Sequence, residues 1–131
     1  MIYTTRYSTA SKLPRNKYHI VRTSLGGCRF CKADYNFSAI APTREIFNIH
    51  LDEDGSFPPE YVKAYTKHLN DAFDVIQSEI EKLKAIVDKT IMLCCFCDLE
   101  EHGCHRRFFA KWYHEKTGYL IPEFSGLLKK V

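Results

Sequence analysis

Apolar residues along the chain follow two different periods, and the places where the period changes mark out the elements. The opening "MIYTTRY" is rich in β-branched and aromatic residues and predicts a strand ending near Thr5 to Tyr7. A polar loop punctuated by Pro14 follows, and "YHIVRTSL" predicts a second strand closed by Gly26 and Gly27. Between Gly26 and Ala41 no period dominates. "PTREIFNI" predicts a short helix with Pro42 in its first turn, and "HLDEDGSFPP" reads as a polar connection. From Tyr61 to Val87 the positions Tyr61, Val62, Tyr65, Leu69, Ala72, Phe73, Ile76, Ile80, Leu83 and Val87 recur at three and four, the helical spacing. Asn70 and Asp71, both good caps, divide this stretch into two helices.

"TIMLCCF" is apolar throughout, as befits a strand covered on both faces. Phe108, Phe109, Trp112 and Tyr113 at helical spacing predict an amphipathic helix from Cys104 to Lys116, stopped by Gly118. "YLIPEF" reads as a last short strand before a "GLLKKV" tail. Strands alternating with helices imply α/β architecture. The expected fold is a single-domain three-layer sandwich over residues 1–131, with a small, mostly parallel sheet, helices on both faces and a Rossmann-like arrangement. Ligands of such sheets bind beyond the carboxyl ends of the strands. Three polar turns should therefore meet there: Arg6 to Ser11, Thr23 to Gly27, and Cys97 to Arg107.

Composition narrows the class without changing the fold. A content of 45% hydrophobic and 27% charged residues is that of an ordinary globular domain, and no apolar run approaches the roughly 20 residues of a spanning helix. No basic segment followed by an apolar block marks the N-terminus, so the expectation is a cytoplasmic protein with no membrane partner. There the six cysteines stay reduced, which favours metal ligation, redox chemistry or packing over disulfides. A net charge of +3, with Lys12, Arg15, Lys17, Arg22, Arg29 and Lys32 clustered early, favours an anionic partner and leaves nucleic acid as a candidate.

Reactive groups concentrate in "LCCFCDLEEHGCHRRFF", residues 93–109. Three chemistries compete for it. Cys97 and Cys104, joined to the C-x-x-C pair Cys28 and Cys31, would give a four-thiolate zinc site, although the six residues between Cys97 and Cys104 exceed the usual two to four. Cys104 at a helix start, beside His105 and Arg106, has the setting of an activated nucleophile, but the downstream arginine of the cysteine phosphatases is missing. The third reading is an anion site: first-turn amides point outward, and Arg106 and Arg107 supply forked donors. His105 adds a group that exchanges protons near neutral pH. Cys94 and Cys95 lie in the apolar strand, where at least one should face the core. The aromatic positions of the last helix read as packing, and His19, His50, His68 and His114 form no constellation.

"IMLCCFCDLEEHGCHRRFFAKWY" resembles the signature of the family catalogued as domain of unknown function 488. In that family a hydrophobic strand ends in a cysteine and Cys-His-Arg opens a helix, here Cys104, His105 and Arg106. "MIYTTRYSTASKLP", "HIVRTSLG", "AIAPT" and "FPPEYVKAYTKHL" resemble its other elements, so the likeness runs over most of the chain. It implies a pocket formed by Thr4, Thr5, Tyr7 and Ser8 from the first turn, Arg22 and Ser24 from the second, and Cys104 to Arg106. Two features depart from the pattern: Cys97 stands where many members carry a glutamate, and Cys28-x-x-Cys31 is not a family feature.

The functional expectation is a protein that binds a nucleotide-like or other phosphorylated small molecule at the carboxyl edge of the sheet. Thr5, Tyr7, Ser8, Arg22, Ser24 and Arg106 would contact the ligand. His105, Tyr7 and Cys104 would act if a glycosidic or phosphate bond is cleaved. The alternatives are a zinc-stabilised nucleic-acid-binding or protein-interaction module built on Cys28, Cys31, Cys97 and Cys104, and a non-catalytic sequestering or inhibitory protein.

Overall fold

The computed structural model describes residues 1–49, 56–95 and 105–124. Its elements are β1 (Ile2–Arg6), α1 (Tyr7–Ala10), β2 (Tyr18–Arg22), β3 (Tyr35–Asn36), α2 (Arg44–Phe47), α3 (Pro59–Asp71), α4 (Phe73–Ile86), β4 (Thr90–Cys95) and α5 (His105–Thr117). All four strands are parallel, in the order β1-β4-β2-β3. The α/β class and parallel sheet expected from the chain are therefore present.

The continuous apolar run of β4 is explained by its central place, with β1 on one side and β2 on the other. Its residues alternate between faces. Ile91 and Leu93 join Ile2 and Val21 beneath α3, α4 and α5, in a core that includes Tyr65, Leu69, Ile76, Ile80, Phe109 and Tyr113. Met92 and Cys94 join Ile20 on the opposite face, covered by Tyr7 and Ala10 of α1 together with Leu13, Cys31 and Phe124. Helices thus occupy both faces, three long ones on one side and a single turn on the other.

Several boundaries differ from the sequence expectation. The unassigned stretch 26–41 contains β3, a two-residue edge strand held in place by Asp34, whose carboxylate accepts from the Ile20 amide at 2.9 Å. Pro42 lies outside α2, because Thr43 is the N-cap and accepts from the Ile46 amide at 3.2 Å. The break between α3 and α4 falls at Ala72. Asn70 does not cap; its side chain accepts from the Trp112 indole at 2.9 Å, while Asp71 pairs with Lys67. "YLIPEF" forms one isolated parallel bridge from Glu123 to Thr4 and no strand. The 50–55 connection and the 125–131 tail lie outside the described residues. No helix among the described residues is long and apolar enough to cross a membrane.

The topology singles out one crevice. From the end of β1 the chain passes over one face through α1 to β2, while from β4 it returns over the other face through α5 to Glu123, beside β1. Connections that leave neighbouring strands in opposite directions open a cleft between their carboxyl ends, here those of β1 and β4.

Candidate functional site at the carboxyl edge of the sheet

Tyr7 follows directly on β1, and its side chain reaches past the end of β4 to the turn after β2. Its hydroxyl lies 2.9 Å from Ser24 Oγ, and Ser24 Oγ donates to the Gly26 carbonyl at 2.6 Å. Because the serine proton goes to a carbonyl, which only accepts, the phenol is the donor to Ser24. Burial raises the phenol to about 12, although the bond to Ser24 works the other way. At neutral pH Tyr7 is therefore a protonated hydrogen-bond donor, well above the range in which acid catalysis is efficient.

The first two residues of α5 point inward. His105 Nε2 lies 2.9 Å from the Thr23 carbonyl, so Nε2 carries the proton and Nδ1 the lone pair. Desolvation, the largest influence, pulls the imidazole below its ordinary value and holds it neutral. Arg106 is only 2% exposed. Its Nε and Nη2 grip the two carboxylate oxygens of Glu123 at 3.1 and 2.9 Å, and Nη1 lies 2.9 Å from Cys95 Sγ. The forked donors expected to face a ligand are thus engaged inside the protein, where they tie α5 to the segment beside β1.

Thr4 and Thr5 are likewise occupied internally. Thr4 Oγ1 donates to Glu123 at 2.8 Å, and Thr5 Oγ1 donates to the Phe124 carbonyl at 2.6 Å. Ser8 is exposed at the surface of α1.

Arg22, at the end of β2, is placed differently. Its Nε donates to the Ser24 carbonyl at 3.1 Å and its Nη2 to the Leu25 carbonyl, and among the described residues it makes no ion pair. A half-buried guanidinium held only by carbonyls keeps its full charge available. It borders two hollows. One, of about 320 Å³, is lined by Tyr7, Cys28, Cys31, Lys32, Asp34 and Asn36 as well as Arg22. The other, of about 260 Å³, carries Ser24, Asn36, Ser38, Thr43 and His68.

The fold therefore brings Tyr7, Ser24, Arg22, His105 and Arg106 to one edge of the sheet. Cys104 and Cys97, on which the nucleophile and the four-cysteine zinc set rest, lie outside the described residues; of the zinc set Cys28 and Cys31 are described. Both of these are free thiols on the Arg22 cavity. Cys28 is half-buried and Cys31 is buried, and desolvation raises the Cys31 thiol. Among the described residues no three candidate ligands converge on a metal position.

Three participants were not evident from the sequence. Glu123 and Cys95 anchor Arg106, and His68 lines the hollow beside Arg22 with Nε2 buried and without a hydrogen-bond partner among the described residues. A lone carboxylate 17 positions after its arginine leaves no sequence signal. His68 is masked by the helical period of α3, whose apolar positions it interrupts by a single residue. Comparison with protein-family models, with curated proteins and with solved structures gives no match to this chain.

Proposed function

We propose that the protein binds a nucleotide-like or other phosphorylated small molecule at the carboxyl edge of the sheet, with Arg22 as the residue that holds the anion. The observation that carries this reading is the Arg22 guanidinium, which with Asn36 lines two adjoining hollows and has no carboxylate partner among the described residues. Lys32 adds a second cation on one side. Ser24, Asn36, Ser38 and Thr43 offer hydroxyl and amide groups on the other, suited to a sugar or a phosphate rim.

Arg106 acts through position in this reading: locked to Glu123 and Cys95, it holds the start of α5 against the sheet edge. Neutral His105 and protonated Tyr7 stand beside the turn after β2, bonded to Thr23 and Ser24. Any cleavage of a glycosidic or phosphate bond would draw on His105 for proton transfer, with Tyr7 as a hydrogen-bond donor rather than an acid.

The test is a titration of the purified protein with inorganic phosphate, ribose 5-phosphate and nucleoside monophosphates, followed by calorimetry and by phosphorus NMR line width. Saturable binding that Arg22→Ala weakens by about tenfold or more supports the reading, since a charge-assisted contact contributes roughly 1.5–3 kcal/mol. Binding unaltered by Arg22→Ala, or none at millimolar ligand, defeats it.

A further inference from the structure

A further cavity lies away from the sheet edge, between the outer sides of α3 and α5. It encloses about 520 Å³, within the roughly 300–1,000 Å³ of small-molecule sites. Its walls are the rings of Phe57, Phe108 and Trp112 with Val62, and Arg107, Lys111 and Glu115 stand at its rim together with Thr66.

The aromatic wall is preformed. Phe57 stacks on Tyr61 at 4.7 Å and meets Phe108 edge-on at 5.5 Å, and Phe108 packs on Tyr65 at 5.0 Å. Trp112 is fixed by its indole bond to Asn70 and by Phe73, 5.8 Å away. An apolar molecule entering the hollow would find rings already held by their neighbours, so little side-chain freedom is lost on binding.

Charge at the rim selects among apolar molecules. Arg107 and Lys111, four residues apart on one exposed ridge of α5, make no ion pair among the described residues. The same two side chains border a second, more polar hollow on the far side of the ridge, lined by Thr4, His114 and Glu123. Two cations and one carboxylate, Glu115, four residues beyond Lys111 on α5, thus stand along one side of an aromatic cavity.

We propose that the α3–α5 cavity is a second binding site, for a planar aromatic compound carrying an exocyclic acid group such as a carboxylate or sulfonate. Its ring enters between Phe57, Phe108 and Trp112, and its acid group lies on the Arg107–Lys111 ridge. The site is independent of Arg22 and of whatever binds at the sheet edge.

The chain has one tryptophan, so emission from Trp112 reports on this cavity alone. Naphthalene-2-sulfonate, titrated into the full chain, should change that emission saturably and give one binding event per chain by calorimetry. The neutral naphthalene-2-methanol should bind several-fold more weakly. Arg107→Glu combined with Lys111→Glu should weaken the sulfonate about threefold to tenfold, as expected for two exposed charge contacts. Glu115→Gln should tighten it, and Arg22→Ala should leave it unchanged. No emission change at millimolar sulfonate overturns the proposal. So does equal affinity for the neutral analogue, undiminished binding by the double variant, or loss of binding in Arg22→Ala.

Discussion

Arg106 and Glu123 form a two-pronged ion pair, with Nε and Nη2 of the guanidinium 3.1 and 2.9 Å from separate carboxylate oxygens. The partners differ in their access to water. The arginine side chain is 2% exposed and the glutamate 32%. Removing the carboxylate takes its forked partner from a buried cation, whereas removing the cation leaves an anion that water reaches. Glu123→Gln should therefore destabilise the fold by about 3 kcal/mol, and the size-matched Arg106→Met by clearly less. Urea unfolding of both single variants and of the double variant measures this, and equal losses would contradict the asymmetry.

Acid should weaken the protein through His105. Its folded-state pKa is depressed by burial, so the unfolded chain binds the proton more readily. The stability that this group contributes is complete above the unfolded value, about 6.5 for histidine, and declines as pH falls from there toward the folded value. Over that window the loss approaches about 1.4 kcal/mol per pH unit for one proton. Thermal denaturation between pH 7 and pH 5 should show it, and His105→Gln should flatten that part of the profile. An unchanged slope in the variant would assign the acid sensitivity elsewhere.

Tyr7→Phe should cost about 1 kcal/mol, because it removes a buried donor while Ser24 keeps its own bond to Gly26. The raised phenol also predicts that Tyr7 ionises late among the eight tyrosines. Difference absorbance between wild type and Tyr7→Phe should therefore be featureless until pH approaches 12. A phenolate signal near pH 10, the ordinary tyrosine value, would place the hydroxyl in water instead.

Gly118 ends α5 at φ +79, and its amide caps the His114 carbonyl at 2.8 Å. Nothing lies within reach of an added Cβ there, so the cost of Gly118→Ala is conformational alone, about 1 kcal/mol. Gly118→Asn should cost less, since asparagine tolerates this conformation better. Melting temperatures of the two variants should fall in that order.

Much of the architecture was legible because burial imposes a period. A strand covered on both faces must be apolar along its buried length, as residues 91–95 are, and a helix packed on one side repeats at three and four, as α3 and α4 do. β3 left no such trace, since two residues at a sheet edge carry no period and depend on Asp34 for support. The candidate site drew on a different signal. The family resemblance implied Tyr7, Arg22 and Ser24, and all three lie at or just beyond the carboxyl ends of β1 and β2, where ligands of α/β sheets gather. What a side chain meets on arrival is a tertiary matter. "CHR" marked Arg106 as a ligand holder, and only the folded chain placed Glu123 and Cys95 against it.

The strand order also governs how the chain can assemble. β1 and β2 share no hydrogen bonds; each is paired with β4, which comes last in sequence and sits between them. Until residues 90–95 have left the ribosome, two parallel strands wait with their inner edges unsatisfied, and the apolar residues destined for both layers have no sheet to cover. Collapse must then close over contacts far apart in sequence, which slows folding and lengthens the period during which exposed strand edges invite association between nascent chains. The step that completes the sheet is therefore the arrival of β4 between two strands made long before it.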